Sequence, residues 1–78
     1  MIEKEVYEVI SKSLNIEPAL LHEELGPGDM SEWDSLGHQT LIADLERHFQ
    51  VKLDIDEVLD METVGDIVEI LQEKMTVI

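Results

Sequence analysis

The residues of this chain best suited to chemistry lie in one heptapeptide, which runs from Glu32 to His38 with the sequence EWDSLGH. Ser35 follows a stretch rich in Gly and Pro and precedes apolar residues at helical spacing, so it is expected at a helix start. A helix N-terminus presents unpaired amide N–H groups and a partial positive charge. A phosphate ester on the Ser35 hydroxyl would lie in a favourable field there. The same position also suits a serine that only caps the helix, so both interpretations stand on the motif alone.

Two neighbours of Ser35 invite further interpretations. His38 lies one helical turn later, where an imidazole and a hydroxyl can approach as the base and nucleophile of a hydrolase. An orienting third group and an oxyanion hole are not evident in so small a domain, so catalysis is not favoured. We expect His38 near a pocket mouth, where its charge responds to pH. Trp33 is expected either to contact a partner or the attached group, or to fix the loop to the helix start.

A metal site is not predicted. Asp54, Asp56 and Asp60 suggest a calcium loop, but an EF-hand needs glycine at its sixth position and glutamate at its twelfth. Counted from Asp54, these positions hold Leu59 and Gly65. The chain contains no cysteine, which excludes disulfides, thiolate metal ligands and a catalytic thiol of its own.

The net charge is the most informative property of the composition. Asp and Glu number 19 and Lys and Arg number 5, which gives a formal net charge of −14. Nucleic-acid phosphates and anionic membranes repel such a chain, whereas basic protein surfaces attract it, and the acidity also favours solubility. The apolar runs are too short to span a bilayer. We therefore expect no nucleic-acid or membrane partner, and a monomer in the cytoplasm.

The spacing of apolar residues predicts an all-α fold with three main helices and a short third one. The main helices are expected over about 3–14, from Asp34 or Ser35 to Phe49, and from Thr63 onwards with an inward stripe that ends at Met75. The short helix is expected over roughly 56–60, with apolar anchors at Ile55, Val58 and Leu59. The β-branched tail at 76–78 is too short for a sheet.

A long first loop, residues 15–33, separates the first two helices and is dense in turn formers. Asn15 suits the end of the first helix, and residues 18–21 are expected to form one helical turn. The loop is expected to be pinned to the core by Leu20, Leu21, Leu25 and Met30. A chain of 78 residues has room for one core, so residues 1–78 are predicted to form a single domain.

The tripeptide Asp34-Ser35-Leu36, at the start of the second predicted helix, resembles the modification site of the acyl carrier protein family. The resemblance covers nearly the whole chain, including its length, its acidity, the long first loop and the second helix that closes on Phe49. It also includes the short third helix and the pair Thr63-Val64 that opens the last helix. The resemblance implies a four-helix bundle of the acyl-carrier type.

The resemblance also implies a cofactor and a role for each residue of the tripeptide. A phosphopantetheinyl transferase, with Mg²⁺ held partly by that enzyme, would move 4′-phosphopantetheine from coenzyme A to Ser35, making the chain a phosphoprotein. The terminal thiol of the arm would hold an acyl group as a thioester, so a chain without cysteine would gain thiol chemistry. Asp34 would lie beside the transferase metal, and Leu36 would be an exposed apolar contact. The carrier itself would catalyse nothing.

Some residues of this chain depart from the family pattern, and these departures affect which partner enzymes we expect it to bind. Gly37 stands where the family often has an acidic residue, and it is expected to leave space for the arm or for a partner's backbone. Asp34, Asp44 and Glu46 remain as an acidic stripe on the second helix. The partners expected are acyl-loading, acyl-transfer or condensing enzymes with basic docking surfaces. The predicted contacts to them are Trp33, Gly37, His38, Asp44 and Glu46.

The cargo and the pathway stay open at this point. The Trp-Asp-Ser-Leu form resembles carriers of specialised pathways, with a small polar acyl or aminoacyl load, more than carriers of general fatty-acid synthesis. Fatty-acid or polyketide biosynthesis and secondary metabolism are the pathway classes expected. One alternative is a peptidyl or aminoacyl carrier. Another is an acidic module that binds a basic protein without covalent modification.

Overall fold

The computed structural model describes residues 2–75. Its helices are α1 (Glu3–Leu14), α2 (Ser35–Phe49), α3 (Ile55–Leu59) and α4 (Val64–Met75), and a single 3₁₀ turn (Pro18–Leu20) lies in the first loop. Within these residues there is no strand, so the prediction of an all-α fold with three main helices and a short third one is confirmed. The tail at 76–78, which is predicted to be too short to form a sheet, lies outside the described residues.

Local backbone chemistry explains where the first two helices end. Asn15 and Gln50 adopt the left-handed conformation, with φ of 57° and 56°. Their N–H groups donate back to the carbonyls of Ser11 and Glu46, which satisfies acceptors that a helix end would otherwise leave unpaired. Asparagine tolerates this conformation better than most residues, which is why the end of α1 was predictable from sequence.

The core is formed by one face each of α1, α2 and α4, together with apolar residues of the loops. The buried residues are Val6, Val9, Ile10, Leu14, Ile16, Leu21, Leu25, Trp33, Leu41, Leu45, Phe49, Met61, Val64, Ile67, Val68 and Leu71. Two core positions predicted in the first loop and in the last helix are wrong: Leu20 is 53% exposed and Met75 is 46% exposed. Leu20 lies on a 3₁₀ turn that buries none of its residues, and Met75 is the last residue of α4.

The first loop is joined to the start of α4 by backbone hydrogen bonds. The Val64 N–H donates to the Leu25 carbonyl at 2.7 Å, and the Gly65 N–H donates to the Glu23 carbonyl at 2.9 Å. These bonds satisfy amides that the first turn of α4 leaves without helical partners. Gly26 lies at the same contact, where a Cβ atom would come 2.0 Å from the Glu62 carbonyl oxygen, so only glycine fits there.

Helix α3 contributes no buried residue, which corrects the prediction that Ile55 and Leu59 anchor it to the core. Ile55 is 76% exposed and Leu59 is 69% exposed. Polar contacts hold the helix instead. The Asp54 N–H donates to Glu57 Oε1 at 2.9 Å, and Glu57 pairs with Lys74 of α4 at 3.0 Å. Of the three apolar residues of α3, Val58 alone is half-buried, whereas Ile55 and Leu59 are exposed.

Candidate functional site

The site begins at the first residue of α2. Asp34, with an extended backbone, is the N-cap, and its Oδ1 accepts a hydrogen bond from the Gly37 N–H at 2.7 Å. Ser35 is the first helical residue and its side chain is exposed. The interpretation of Ser35 as the helix cap is therefore wrong, because Asp34 does the capping. The Ser35 hydroxyl is left at the surface, at the positive end of a helix of 15 residues.

An open groove of about 570 Å³ starts at Ser35 and runs between α2, the first loop and α3. Its lining includes Pro27, Gly28, Ser35, His38, Gln39 and Val58. A second groove of about 330 Å³ shares three of its lining residues, Pro27, His38 and Val58, and continues to Leu59 and Glu62. Ser35 thus lies at one end of a surface channel, and an extended group attached to its hydroxyl can lie along that channel.

Trp33 lies beneath this channel, at the end of the first loop. Its side chain is fully buried, and its indole Nε1–H donates to His38 Nδ1 at 3.0 Å. The two rings are stacked, with centroids 6.2 Å apart. Its backbone is also fixed, since its carbonyl accepts from the Gly28 N–H and its N–H donates to the Met30 carbonyl. The prediction of a partner contact at Trp33 is wrong, because no partner can reach a buried ring, and Trp33 instead fixes the loop to α2.

His38 is half-buried between Trp33 and α3. Because Nδ1 accepts the indole proton, the neutral ring carries its own proton on Nε2. Burial lowers the pKa of His38 below its ordinary value of 6.5, while a hydrogen bond with the Val58 backbone acts in the opposite direction. The ring nitrogen that a hydrolase would use as base is therefore bonded to Trp33 and not to Ser35. His38 does line the groove, as predicted.

We expect the neutral His38 ring to stabilise the fold in a pH-dependent way. The unfolded chain binds a proton at this ring near pH 6.5, whereas the folded chain binds it only at lower pH, because the folded-state pKa is depressed. The contribution is therefore fully present above about pH 6.5 and is lost as the pH falls through the folded-state pKa. An NMR titration of the His38 ring measures that pKa directly.

The matched variant for this prediction is His38→Gln, because a glutamine amide oxygen can accept the Trp33 proton and does not titrate. Wild type should lose stability relative to this variant as the pH is lowered from about 7.5 to about 5.5, as measured by urea unfolding. A stability difference independent of pH, or an NMR midpoint at or above 6.5, would contradict it.

Gly37 faces the interior of the chain. A Cβ atom there would lie 2.5 Å from the Glu32 carbonyl oxygen and 3.2 Å from a methyl group of Leu14. The space beside Gly37 is thus filled by the first loop and α1, so the prediction that it makes room for the arm or for a partner's backbone is wrong. Glycine is needed here because the loop that leads to Ser35 crosses directly over the first turn of α2.

The acidic residues of α2 are engaged within the chain. Asp44 accepts a hydrogen bond from Ser13 of α1 and pairs with Arg47, and Glu46 Oε2 accepts from the Leu53 N–H at 2.9 Å. Asp44 therefore links α1 to α2, and Glu46 holds the connector that leads to α3. Docking of a partner at Asp44 and Glu46 stays a prediction, and it would have to compete with these contacts.

Two other kinds of feature, a metal-ligand cluster and a membrane-spanning helix, are absent from residues 2–75. No group of three or more His, Asp or Glu side chains comes together as metal ligands in this part of the chain. No helix within the same range is long and apolar enough to cross a bilayer.

The fold and the site together define a class of protein. A small helical bundle that presents an exposed serine at a helix start, beside an open channel, is suited to carrying a covalently attached group. Residues 4–71 match the family described as phosphopantetheine attachment site. The chain is 34% identical over 70 residues to the acyl carrier protein of Thermotoga maritima, and the match covers 90% of this chain and 86% of that protein.

A solved structure is similar over the same region. The fold matches the solution structure of the holo acyl carrier protein from Geobacter metallireducens with a TM-score of 0.85 and 26% sequence identity. The match covers 96% of this chain and 87% of that one. The chain therefore belongs to the acyl carrier protein family, whose cofactor is phosphopantetheine, and its bundle is of the acyl-carrier type.

Proposed function

We propose that Ser35 carries 4′-phosphopantetheine and that the chain presents an acyl group, bound as a thioester to the arm, to biosynthetic enzymes. The observation that carries this proposal is that Asp34 and Ser35 have different roles at the start of α2. Asp34 caps the helix by accepting the Gly37 N–H, so the exposed Ser35 hydroxyl has no capping role. The chain then acts as the substrate of other enzymes and not as a catalyst.

The residues around Ser35 fit a phosphodiester at this position. The attachment step joins Ser35 Oγ to the phosphorus that bears pantetheine in coenzyme A, breaks the bond from that phosphorus to the adenosine bisphosphate, and releases the hydroxyl proton. A phosphodiester formed there lies at the N-terminus of α2, where the helix dipole favours a negative charge. The attached arm supplies the thiol that the chain lacks.

The packing beneath the groove supports a short load. The lining itself is mixed, with His38 beside the apolar Val58 at Ser35, and Glu62 beside Leu59 in the continuation. The buried ring of Trp33 fills the space beneath. A long apolar chain would have to displace a packed tryptophan to be buried there, whereas a short group can lie in the open channel. Such a load favours a specialised pathway over general fatty-acid synthesis.

The proposal is tested by incubating the unmodified chain with coenzyme A, Mg²⁺ and each of several phosphopantetheinyl transferases. Intact mass spectrometry should show the gain of one phosphopantetheinyl group, and peptide mapping should place it on Ser35. Modification elsewhere, or no modification by any transferase, would contradict the proposal and favour an acidic module that binds without covalent change. Loading assays with acyl- and aminoacyl-adenylating enzymes then separate an acyl carrier from an aminoacyl or peptidyl carrier.

A further inference from the structure

One polar side chain close to Ser35 has no role in the fold. Gln39 lies four residues after Ser35 on α2, so the two side chains project from the same side of the helix. Both line the open groove of about 570 Å³. Gln39 is exposed, and within residues 2–75 its side-chain amide forms no hydrogen bond. Its two N–H donors and its carbonyl oxygen are therefore free to bind a group that lies in the groove.

The other polar side chains that line this groove are already engaged. Asp34 caps α2, and its negative charge would repel a phosphodiester on the adjacent residue. His38 accepts the Trp33 indole proton on Nδ1, and its ring also forms a hydrogen bond with the Val58 backbone. Gln39 is thus the lining residue whose hydrogen-bonding groups remain available to an attached arm.

The spacing along α2 matches the covalent structure of the arm. The four residues from Ser35 to Gln39 advance along the helix axis by about 6 Å. In 4′-phosphopantetheine, six bonds separate Ser35 Oγ from the carbonyl carbon of the first amide, as many as in two residues of extended chain, which span about 7 Å. An arm that lies along the groove in the direction of α2 therefore brings its first amide level with Gln39, and its second amide lies four bonds further on.

The groove has room for an arm in this position. On the side of the first loop its lining includes Gly28, where an added Cβ atom would meet nothing within 4 Å. On the side of α3 it is lined by the apolar Val58, which suits contact with the two methyl groups between the phosphate and the first amide of the arm. The continuation of the groove then leads on to Leu59 and Glu62.

We propose that Gln39 positions the phosphopantetheine arm by donating a hydrogen bond from its side-chain amide to the carbonyl of the first amide of the arm. This rests on the proposed function of Ser35. The bond holds the first half of the arm against α2 and directs its thiol end towards the continuation of the groove. Gln39 is a positioning residue and takes no part in the attachment step.

The test observes the arm by NMR in chains modified with coenzyme A whose pantetheine carries ¹⁵N, and coenzyme A itself supplies the chemical shifts of the free arm. In wild type we expect the first amide to be shifted from its value in coenzyme A and to show a nuclear Overhauser effect to the side-chain amide protons of Gln39. The second amide should stay close to its free value. In Gln39→Met, a side chain of similar length that cannot donate, the ratio of docked to free arm should fall on the order of fivefold.

Two further variants serve as controls. Thr40→Val also removes a hydrogen-bonding group from an exposed residue of α2, but Thr40 is not among the residues that line the groove, so the arm should stay docked. Gln39→Glu keeps the length of the side chain and an acceptor but has no N–H to donate. The arm should therefore be released in Gln39→Glu as it is in Gln39→Met.

Each outcome decides the proposal. Arm amides that match coenzyme A in wild type, or that change equally in Gln39→Met and Thr40→Val, would overturn it. An arm that stays docked in Gln39→Glu, or a shift of the second amide in place of the first, would also show it to be wrong. Intact mass spectrometry should find one phosphopantetheinyl group on every variant, so a free arm on a modified Ser35 disproves this inference alone. If Ser35 of wild type is not modified, the proposed function and this inference are both wrong.

Discussion

Replacing Ser35 by alanine is expected to abolish phosphopantetheine attachment completely while leaving the helical bundle intact. The hydroxyl is the proposed nucleophile, and alanine offers no atom that can form the ester. The fold should not suffer, because Asp34 caps α2 and alanine is a good helix former at the first helical position. Intact mass spectrometry after incubation with coenzyme A and a transferase measures the first effect, and thermal unfolding by circular dichroism measures the second.

The matched control for this prediction is Ser31→Ala. Ser31 is also exposed, lies four residues earlier in the first loop, and donates its hydroxyl to Glu32 at 3.2 Å. This variant should gain one phosphopantetheinyl group as wild type does. Attachment that persists in Ser35→Ala, or attachment that is lost in both variants, would show that Ser35 is not the attachment site.

Replacing Trp33 by alanine is expected to give the largest loss of stability among single substitutions in the site, about 3–5 kcal/mol. The ring is fully buried and its Nε1–H is bonded to His38, so the variant loses apolar packing and a hydrogen bond together. Domains of this size have a total stability of only about 5–15 kcal/mol, so a large fraction of it would be lost. Urea unfolding followed by circular dichroism measures the change without depending on the tryptophan signal.

Trp33→Phe separates the two contributions. Phenylalanine keeps most of the buried aromatic surface but has no N–H to donate to His38 Nδ1. The loss of stability in Trp33→Phe should be about 1–2 kcal/mol, most of it from the missing hydrogen bond and the smaller ring. A loss below about 1 kcal/mol in Trp33→Ala would show that the ring does not fix the loop as its burial indicates.

The long elements were predictable because their signals are local. α1 and the extent of α2 follow from apolar spacing, and Asn15 marks the end of α1 through its tolerance of the left-handed backbone. α3 was placed one residue late and assigned the wrong buried face. Ile55, Val58 and Leu59 have the apolar character of a helix that packs on a core, but burial depends on how the helix lies on the bundle, and only Val58 is half-buried.

The position of Ser35 at the start of α2 was predictable, but the contacts of its neighbours were less so. The order of elements and the tripeptide at Ser35 predict that it is the attachment residue, and this stays a prediction. The sequence left open whether Asp34 or Ser35 caps α2, since both residue types are good caps. Gly37 was interpreted as leaving space for the arm or for a partner's backbone, because its inward contact with the Glu32 carbonyl depends on how the loop crosses the helix.

The sequence by itself determined the helical class, the long first loop, the acidity and the family, because these depend on residue types and their spacing along the chain. Only the tertiary structure decided which side chains reach the surface. It buried Trp33 against His38, engaged Asp44 and Glu46 in contacts within the chain, and left Ile55 and Leu59 exposed beside the groove of Ser35. The physical reason is that exposure depends on packing between segments distant in sequence, which the local pattern of residues does not specify.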